Sequence, residues 1–161
     1  MNNLISVVVT CYNHEKYIEQ CLRSVFNQTY TNIELIVLDD GSTDSSPQII
    51  QEVLKDSPFD TKFETHENLG VVNNRNLGLE LIRGDYLLFV DSDNYLDADY
   101  VEQLYSKLTE TNADIVYCDL FNPEKEEFYL KSREFDLTAF LNASFIDNCS
   151  LIRRSIIGNT R

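Results

Sequence analysis

From Leu4 to Phe121 the chain alternates two patterns of apolar residues. The first is the unbroken β-prone run: Leu4-Ile5-Ser6-Val7-Val8-Val9-Thr10, Ile33-Glu34-Leu35-Ile36-Val37-Leu38 and Tyr86-Leu87-Leu88-Phe89-Val90. Runs of this kind predict strands buried on both faces, as in the middle of a parallel sheet. The second is helical spacing. Ile18, Cys21, Leu22, Val25 and Phe26 form one stripe, Ile49, Ile50, Val53 and Leu54 another after Ser46 and Pro47, and Val101, Leu104, Tyr105 and Leu108 a third between Ala98 and Thr111. A helix is also expected over Gly70 to Arg83, although Asn73, Asn74, Arg75 and Asn76 are poor helix formers for its first turns. A short edge strand is expected at Lys62 to His66 and a strand at Asp114 to Phe121. The pattern then weakens to a strand near Phe128 to Ser132, a short helix capped by Asp136 and a strand from Ser150 to Ile157.

Strands alternating with amphipathic helices imply right-handed crossovers about a common sheet. The fold class expected is α/β: a doubly wound, mostly parallel sheet flanked by helices, in a single domain spanning residues 1–161. Ligands of such sheets bind outside the carboxyl ends of the strands. Three of these ends are polar: Thr10-Cys11-Tyr12-Asn13, Asp39-Asp40-Gly41-Ser42 and Asp91-Ser92-Asp93-Asn94. Together they supply an aromatic face, carboxylates for a base or ribose, and a seat for a metal.

The third end is the most informative. In an extended chain alternate side chains point the same way, so Asp91 and Asp93 are expected to face one crevice. Their mutual repulsion would be relieved by Mg²⁺ or Mn²⁺, which prefer oxygen ligands and can carry substrate phosphates on their remaining positions. The other Asp-x-Asp, Asp97 and Asp99, is read as a helix start, with Asp97 as N-cap and Asp99 in the first turn.

Charge narrows the partners. A net charge of −14 with no offsetting basic run argues against nucleic acid or an anionic membrane surface. The run Leu4 to Val9 is too short for a signal segment or a membrane span. The location expected is cytoplasmic, either free or peripheral at the inner membrane face. Cys11, Cys21, Cys118 and Cys149 have no metal-type spacing and are expected to be reduced core thiols. His14 and His66 have no partner pattern and are assigned solvated or turn roles. The glycines form neither a Gly-x-Gly-x-x-Gly nor a Gly-Lys-Ser/Thr loop, so the dinucleotide and P-loop readings fall.

Several blocks, in order and spacing, resemble the family 2 glycosyltransferases with the GT-A fold. They are Val8-Val9-Thr10-Cys11-Tyr12-Asn13, Asn27-Gln28-Thr29, Ile36-Val37-Leu38-Asp39-Asp40-Gly41-Ser42-Thr43-Asp44, Asn68-Leu69-Gly70, Arg75-Asn76-Leu77-Gly78 and Phe89-Val90-Asp91-Ser92-Asp93. The resemblance runs from Ile5 to about Ile157 and implies a nucleotide-sugar donor, a UDP-sugar above all, bound with Mn²⁺ or Mg²⁺. It implies transfer with inversion to a hydroxyl of a glycan or protein-linked sugar acceptor, as in the making of cell-surface polysaccharide or glycoprotein. By position, Thr10 and Tyr12 would line the base and Asp40 would accept its ring N–H. Asn13 and Ser92 would belong to the same donor site, with Arg75 near the base or diphosphate. Asp91 would contact ribose and share the metal with Asp93. Asp39 either braces its turn or joins the ligand contacts. The family's general base is expected beyond Arg161, so the chain is read as the donor-binding part of a longer enzyme. The alternative is a nucleotide-sugar-binding or assembly module without catalysis. Homo-oligomerisation is left open.

Overall fold

The computed structural model describes residues 3–122, 125–142 and 146–158. Four strands, β1 (Ile5–Cys11), β2 (Ile33–Asp39), β3 (Asp60–Thr65) and β4 (Tyr86–Asp91), run parallel in the order β3-β2-β1-β4. The chain builds outward from β1 to β3 and then returns to place β4 on the other side of β1. The switch point of the sheet therefore lies between β1 and β4. Register brings the polar strand ends level: Cys11 pairs with Asp39, Asp39 with Thr65, and Thr10 with Asp91.

Each helix covers the face its apolar stripe dictates. Helices α1 (Ile18–Phe26), α2 (Ser46–Val53) and α4 (Tyr100–Thr111) pack Ile18, Leu22, Ile50, Val101 and Leu108 against Val7, Val9, Leu35, Val37 and Leu88. Helix α3 (Val71–Leu81) covers the opposite face, where Val8, Ile36, Leu38 and Leu87 form a second core. It packs close because residue 78 is glycine. A Cβ there would stand 2.9 Å from Val8 Cγ1, inside normal van der Waals contact. The doubly wound expectation is met.

The expected strand Asp114 to Phe121 is split. Strand β5 (Ile115–Val116) joins the main sheet, whereas β6 (Leu120–Asn122) pairs with β7 (Glu127–Leu130) in a separate antiparallel hairpin. The break goes with contacts to residues well along the chain: Tyr117 Oη donates to the Arg133 carbonyl, and Asp119 Oδ1 accepts from both the N–H and the hydroxyl of Ser132. After α5 (Leu137–Asn142), only Leu151–Arg153 of the expected last strand pairs. This strand, β8, runs antiparallel between β4 and β5, and Arg154–Ile156 curls into a 3₁₀ turn. Asp136 caps α5 as expected, its Oδ1 accepting from Ala139 N at 2.6 Å.

The start of α4 differs from expectation. Asp99, not Asp97, occupies the N-cap position, and its side chain accepts from Gln103 Nε2 at 2.5 Å instead of capping a backbone N–H. Gln28, buried at the end of α1, takes that role from a distance. Its Oε1 accepts from Val101 N at 2.9 Å while its Nε2 donates to the Asp97 carbonyl at 2.7 Å. A side chain 73 residues away thereby satisfies one of the orphan donors of the first turn. No described helix is long and apolar enough to cross a membrane.

Candidate nucleotide-sugar site

The site begins at the switch point. Asp91 ends β4, and its Oδ1 accepts from Thr10 Oγ1 at 3.4 Å and from an Arg75 Nη at 2.7 Å. Arg75 comes from the second turn of α3 and lies over the Phe89 ring, 5.8 Å from its centroid. Its Nε is buried without a partner among the described residues. A buried guanidinium donor left open beside a carboxylate is a poor arrangement for stability alone.

Asp93 reaches the same strand end by a different route from the one alternation suggested. The strand stops at Asp91, and Asn94 N donates to the Asp91 carbonyl at 2.9 Å, closing a turn. Asp93 therefore sits exposed on the turn, while Ser92 is fully buried. The pleat rule fails for this pair because the extended backbone it requires has ended. The Ser92 hydroxyl lies 2.7 Å from His14 Nδ1, so its side chain is turned into the protein.

The other two strand ends are laced together. Asn13, at φ 56°, takes the left-handed conformation that Asn tolerates better than most residues. Its N–H donates to Ser42 Oγ at 2.8 Å, and its Oδ1 accepts from Thr43 N at 2.8 Å. Glu15 N donates to Asp44 Oδ2, and Ser45 N donates to Glu15 Oε2. Tyr12, between these clasps and β1, is 47% exposed on the rim.

Asp39 and Asp40 have separate surroundings. Asp39 is fully buried; its Oδ2 accepts from Ser42 N and Thr65 Oγ1, which braces the turn, and its Oδ1 has no partner among the described residues. Asp40, 4% exposed, accepts from Leu69 N at 2.7 Å and Gly70 N at 3.0 Å, one with each oxygen. It thereby ties the end of β2 to the start of α3, the helix that carries Arg75. His66 supports the same loop: its Nδ1 pairs with the Glu67 carbonyl and its Nε2 with Asn74 Oδ1.

Thr10, Arg75 and Asp91 are thus in direct contact, with Asp93 on the adjoining turn. Asp40 and Asn13 hold the neighbouring loops, and Asp39 and Ser92 stand behind the surface. The roles of His14 and Gln28 were not evident from the sequence. Adjacency of His14 to the Tyr12-Asn13 knot was the only available signal, and Gln28 had only its place in a motif block. Burial pushes up the Cys11 thiol, against hydrogen bonds with Ser92 and Ser46, and no thiolate nucleophile is prepared there. Asp119 is committed to Ser132, whose hydrogen bonds hold its carboxyl below the usual range. Asp147 Oδ1 accepts from Cys149 N at 2.8 Å.

Among the described residues no group of three or more His, Cys, Asp or Glu could hold a metal ion. Mg²⁺ and Mn²⁺ ask for less, since they are commonly held by one or two carboxylates plus substrate phosphates. A partly exposed Asp91 and an exposed Asp93 on one turn fit that demand. A concavity of about 1670 Å³ lies elsewhere, between α3 and the chain after β8, with Asn76, Glu80, Asp85 and Arg154 in its wall. It opens at the amino ends of the strands, the end that ligands of such sheets do not use.

The chain is similar to known glycosyltransferases. The Glycosyl transferase family 2 model matches residues 6–159. Glycosyltransferase GlyA of Streptococcus pneumoniae is 37% identical over 154 residues, covering 92% of this chain and 22% of that protein. TarS 1–349 of S. aureus, solved in complex with UDP and with UDP-GlcNAc, is 26% identical with a TM-score of 0.74, covering 95% of this chain and 47% and 46% of those chains. Mannosyltransferase PcManGT from Pyrobaculum calidifontis, solved with GDP-Man and Mn²⁺, shares the fold at a TM-score of 0.77 and 19% identity, covering 98% and 46%. The chain spans between about a fifth and a half of the length of the first curated relatives it matches. With the polar strand ends gathered at the switch point and the family match running nearly end to end, the chain belongs to glycosyl transferase family 2.

Proposed function

We propose that this chain binds a UDP-sugar together with Mn²⁺ or Mg²⁺ and serves as the donor-binding part of an inverting glycosyltransferase. The observation that carries the reading is the contact of Arg75 and Thr10 with Asp91 at the switch point, where a guanidinium whose Nε has no partner among the described residues meets a strand-end carboxylate, with Asp93 on the adjoining turn. The similarity to TarS, solved with UDP and UDP-GlcNAc, supports the choice of nucleotide.

In this reading the ring of the exposed Tyr12 stacks on the base and Thr10 lines it. Asp40 takes the base ring N–H on lone pairs left free by Leu69 and Gly70, since each carboxylate oxygen can accept two hydrogen bonds. Asn13 holds the loop that frames the base, and Asp39 and Ser92 act from behind as braces. Asp91 meets the ribose. Asp93, with Asp91, would hold the metal, which when bound neutralises charge on the departing diphosphate. Arg75 adds a planar cation on the same side. The acceptor, a hydroxyl of a glycan or protein-linked sugar, attacks opposite the leaving group, so configuration inverts. The base that takes the acceptor's proton is placed, in this reading, outside residues 1–161. A cytoplasmic location, free or peripheral at the inner membrane face, accompanies the reading.

Nucleotide preference tests it. With Mn²⁺ present, UDP at 100 times its Kd should stabilise the fold by about 2.7 kcal/mol, raising the unfolding midpoint by roughly 5–10 °C for a domain of this size. ADP, which lacks the base N–H that Asp40 would receive, should do so only at much higher concentration. Equal shifts by UDP and ADP would remove Asp40 from its assigned place.

A further inference from the structure

His14 lies outside the donor contacts described above, yet its ring is joined to the turn that presents both metal-side carboxylates. Its Nδ1 stands 2.7 Å from Ser92 Oγ, and Ser92 is the fully buried residue between Asp91 and Asp93. The contact links the loop after β1 to the loop after β4, 78 residues apart in the chain. The Cys11 thiol lies against the same hydroxyl.

His14 is itself held firmly. Its N–H donates to Ser46 Oγ at 3.0 Å, at the start of α2. Its carbonyl accepts from Tyr17 N and Ile18 N, both at 3.0 Å, at the start of α1. Its ring meets the Tyr17 ring edge-on, with centroids 6.1 Å apart. The backbone that carries the imidazole is therefore fixed to the starts of two helices. The Asp91–Asn94 turn is held at its first residue by Arg75 and Thr10 on Asp91 Oδ1 and at its last by Asn94 Nδ2 against Cys149 Sγ at 3.7 Å; between them stand only Ser92 N to the Thr10 carbonyl at 3.2 Å, the closing bond from Asn94 N, and the His14 contact. Asp93, exposed on this turn, inherits its direction from the backbone that Ser92 anchors.

We propose that His14 is a positioning residue for metal and diphosphate binding, acting through Ser92 to fix the turn that carries Asp91 and Asp93. The inference rests on the reading that these carboxylates form the metal side of the donor site. Groups behind a carboxylate that aim it at a metal commonly change metal affinity by about 10–100-fold when removed.

The test is Mn²⁺ binding to the 161-residue chain in the presence of UDP, followed by the electron paramagnetic resonance of free Mn²⁺, with thermal unfolding measured on each variant. His14→Ala should weaken Mn²⁺ binding about 10-fold while lowering the unfolding midpoint by no more than about 4 °C, the cost of one hydrogen bond. His14→Asn places an amide atom close to where Nδ1 stands and should restore affinity. Ser92→Ala removes the same bond by deleting one oxygen, should match His14→Ala, and decides the matter if His14→Ala does not fold. Wild-type Mn²⁺ affinity in both Ala variants, or no recovery in His14→Asn, overturns the proposal. Asp93→Ala is the control that separates the two claims. If it too binds Mn²⁺ and UDP like the wild type, the donor-site reading falls and the inference with it; if it alone loses binding, only the role of His14 is refuted.

Discussion

An Arg75 Nη lies 2.7 Å from Asp91 Oδ1, joining the second turn of α3 to the end of β4 across the switch point of the sheet. The pair is partly exposed, so its contribution to stability is modest, about 1 kcal/mol or less. Its consequence for ligand binding should be larger. Arg75 offers a planar guanidinium, which a lysine cannot reproduce. Arg75→Ala should therefore weaken UDP binding about 10-fold or more, the scale of a hydrogen bond to a charged group, and Arg75→Lys should recover little of it. Calorimetric titration of both variants measures this, and full recovery in the lysine variant would reduce Arg75 to a point charge.

The buried amide of Gln28 makes a prediction of the opposite kind. It serves α4 and the Asp97 carbonyl, not the crevice. Gln28→Ala should destabilise the fold by about 1–2 kcal/mol, the usual scale for a lost helix cap, and leave UDP affinity unchanged. Chemical denaturation beside a UDP titration distinguishes this from a ligand contact, which would change both.

Most of the framework was legible in the sequence because burial on both faces leaves a strong signal. The runs Val7-Val8-Val9 and Tyr86 to Val90 could only be central strands, and the polar residues after them had to lie at strand ends. What was not legible depended on contacts between distant residues. The segment Asp114 to Phe121 is apolar enough for one strand, yet Asp119 leaves the sheet for Ser132. Asp97 has a capping residue's chemistry, but Gln28 arrives first. Asp93 follows the alternation rule on paper and departs from it because Asn94 closes a turn. His14 looked unpartnered because its partner is 78 residues away.

A carboxylate at the other end of the sheet sets an acid limit on the fold. Glu34 is buried. Burial raises its pKa, but hydrogen bonds from Ser6 Oγ, the N–H groups of Arg83 and Gly84 and the Arg83 side chain outweigh this and hold it below the usual glutamate range. A lowered folded-state pKa means that Glu34 contributes its full stabilisation above the unfolded-state value. That contribution is lost as pH falls through the folded-state value. Glu34→Gln should therefore be less stable than the wild type at neutral pH, by about 1–3 kcal/mol. The gap should narrow as the solution is acidified into the carboxylate range. Denaturation midpoints across pH for both proteins check it; a gap that stays constant on acidification would assign the loss to packing.

The central claim, that the crevice between β1 and β4 takes a nucleotide diphosphate through a metal on Asp93, is tested most directly by calorimetric titration of UDP with Mn²⁺ present and then with a chelator, on the wild type and on Asp93→Ala. The account predicts clear binding by the wild type with Mn²⁺ and loss of most of it, about 10-fold or more, both with chelator and in Asp93→Ala. UDP affinity unchanged by chelator and by the substitution would contradict it.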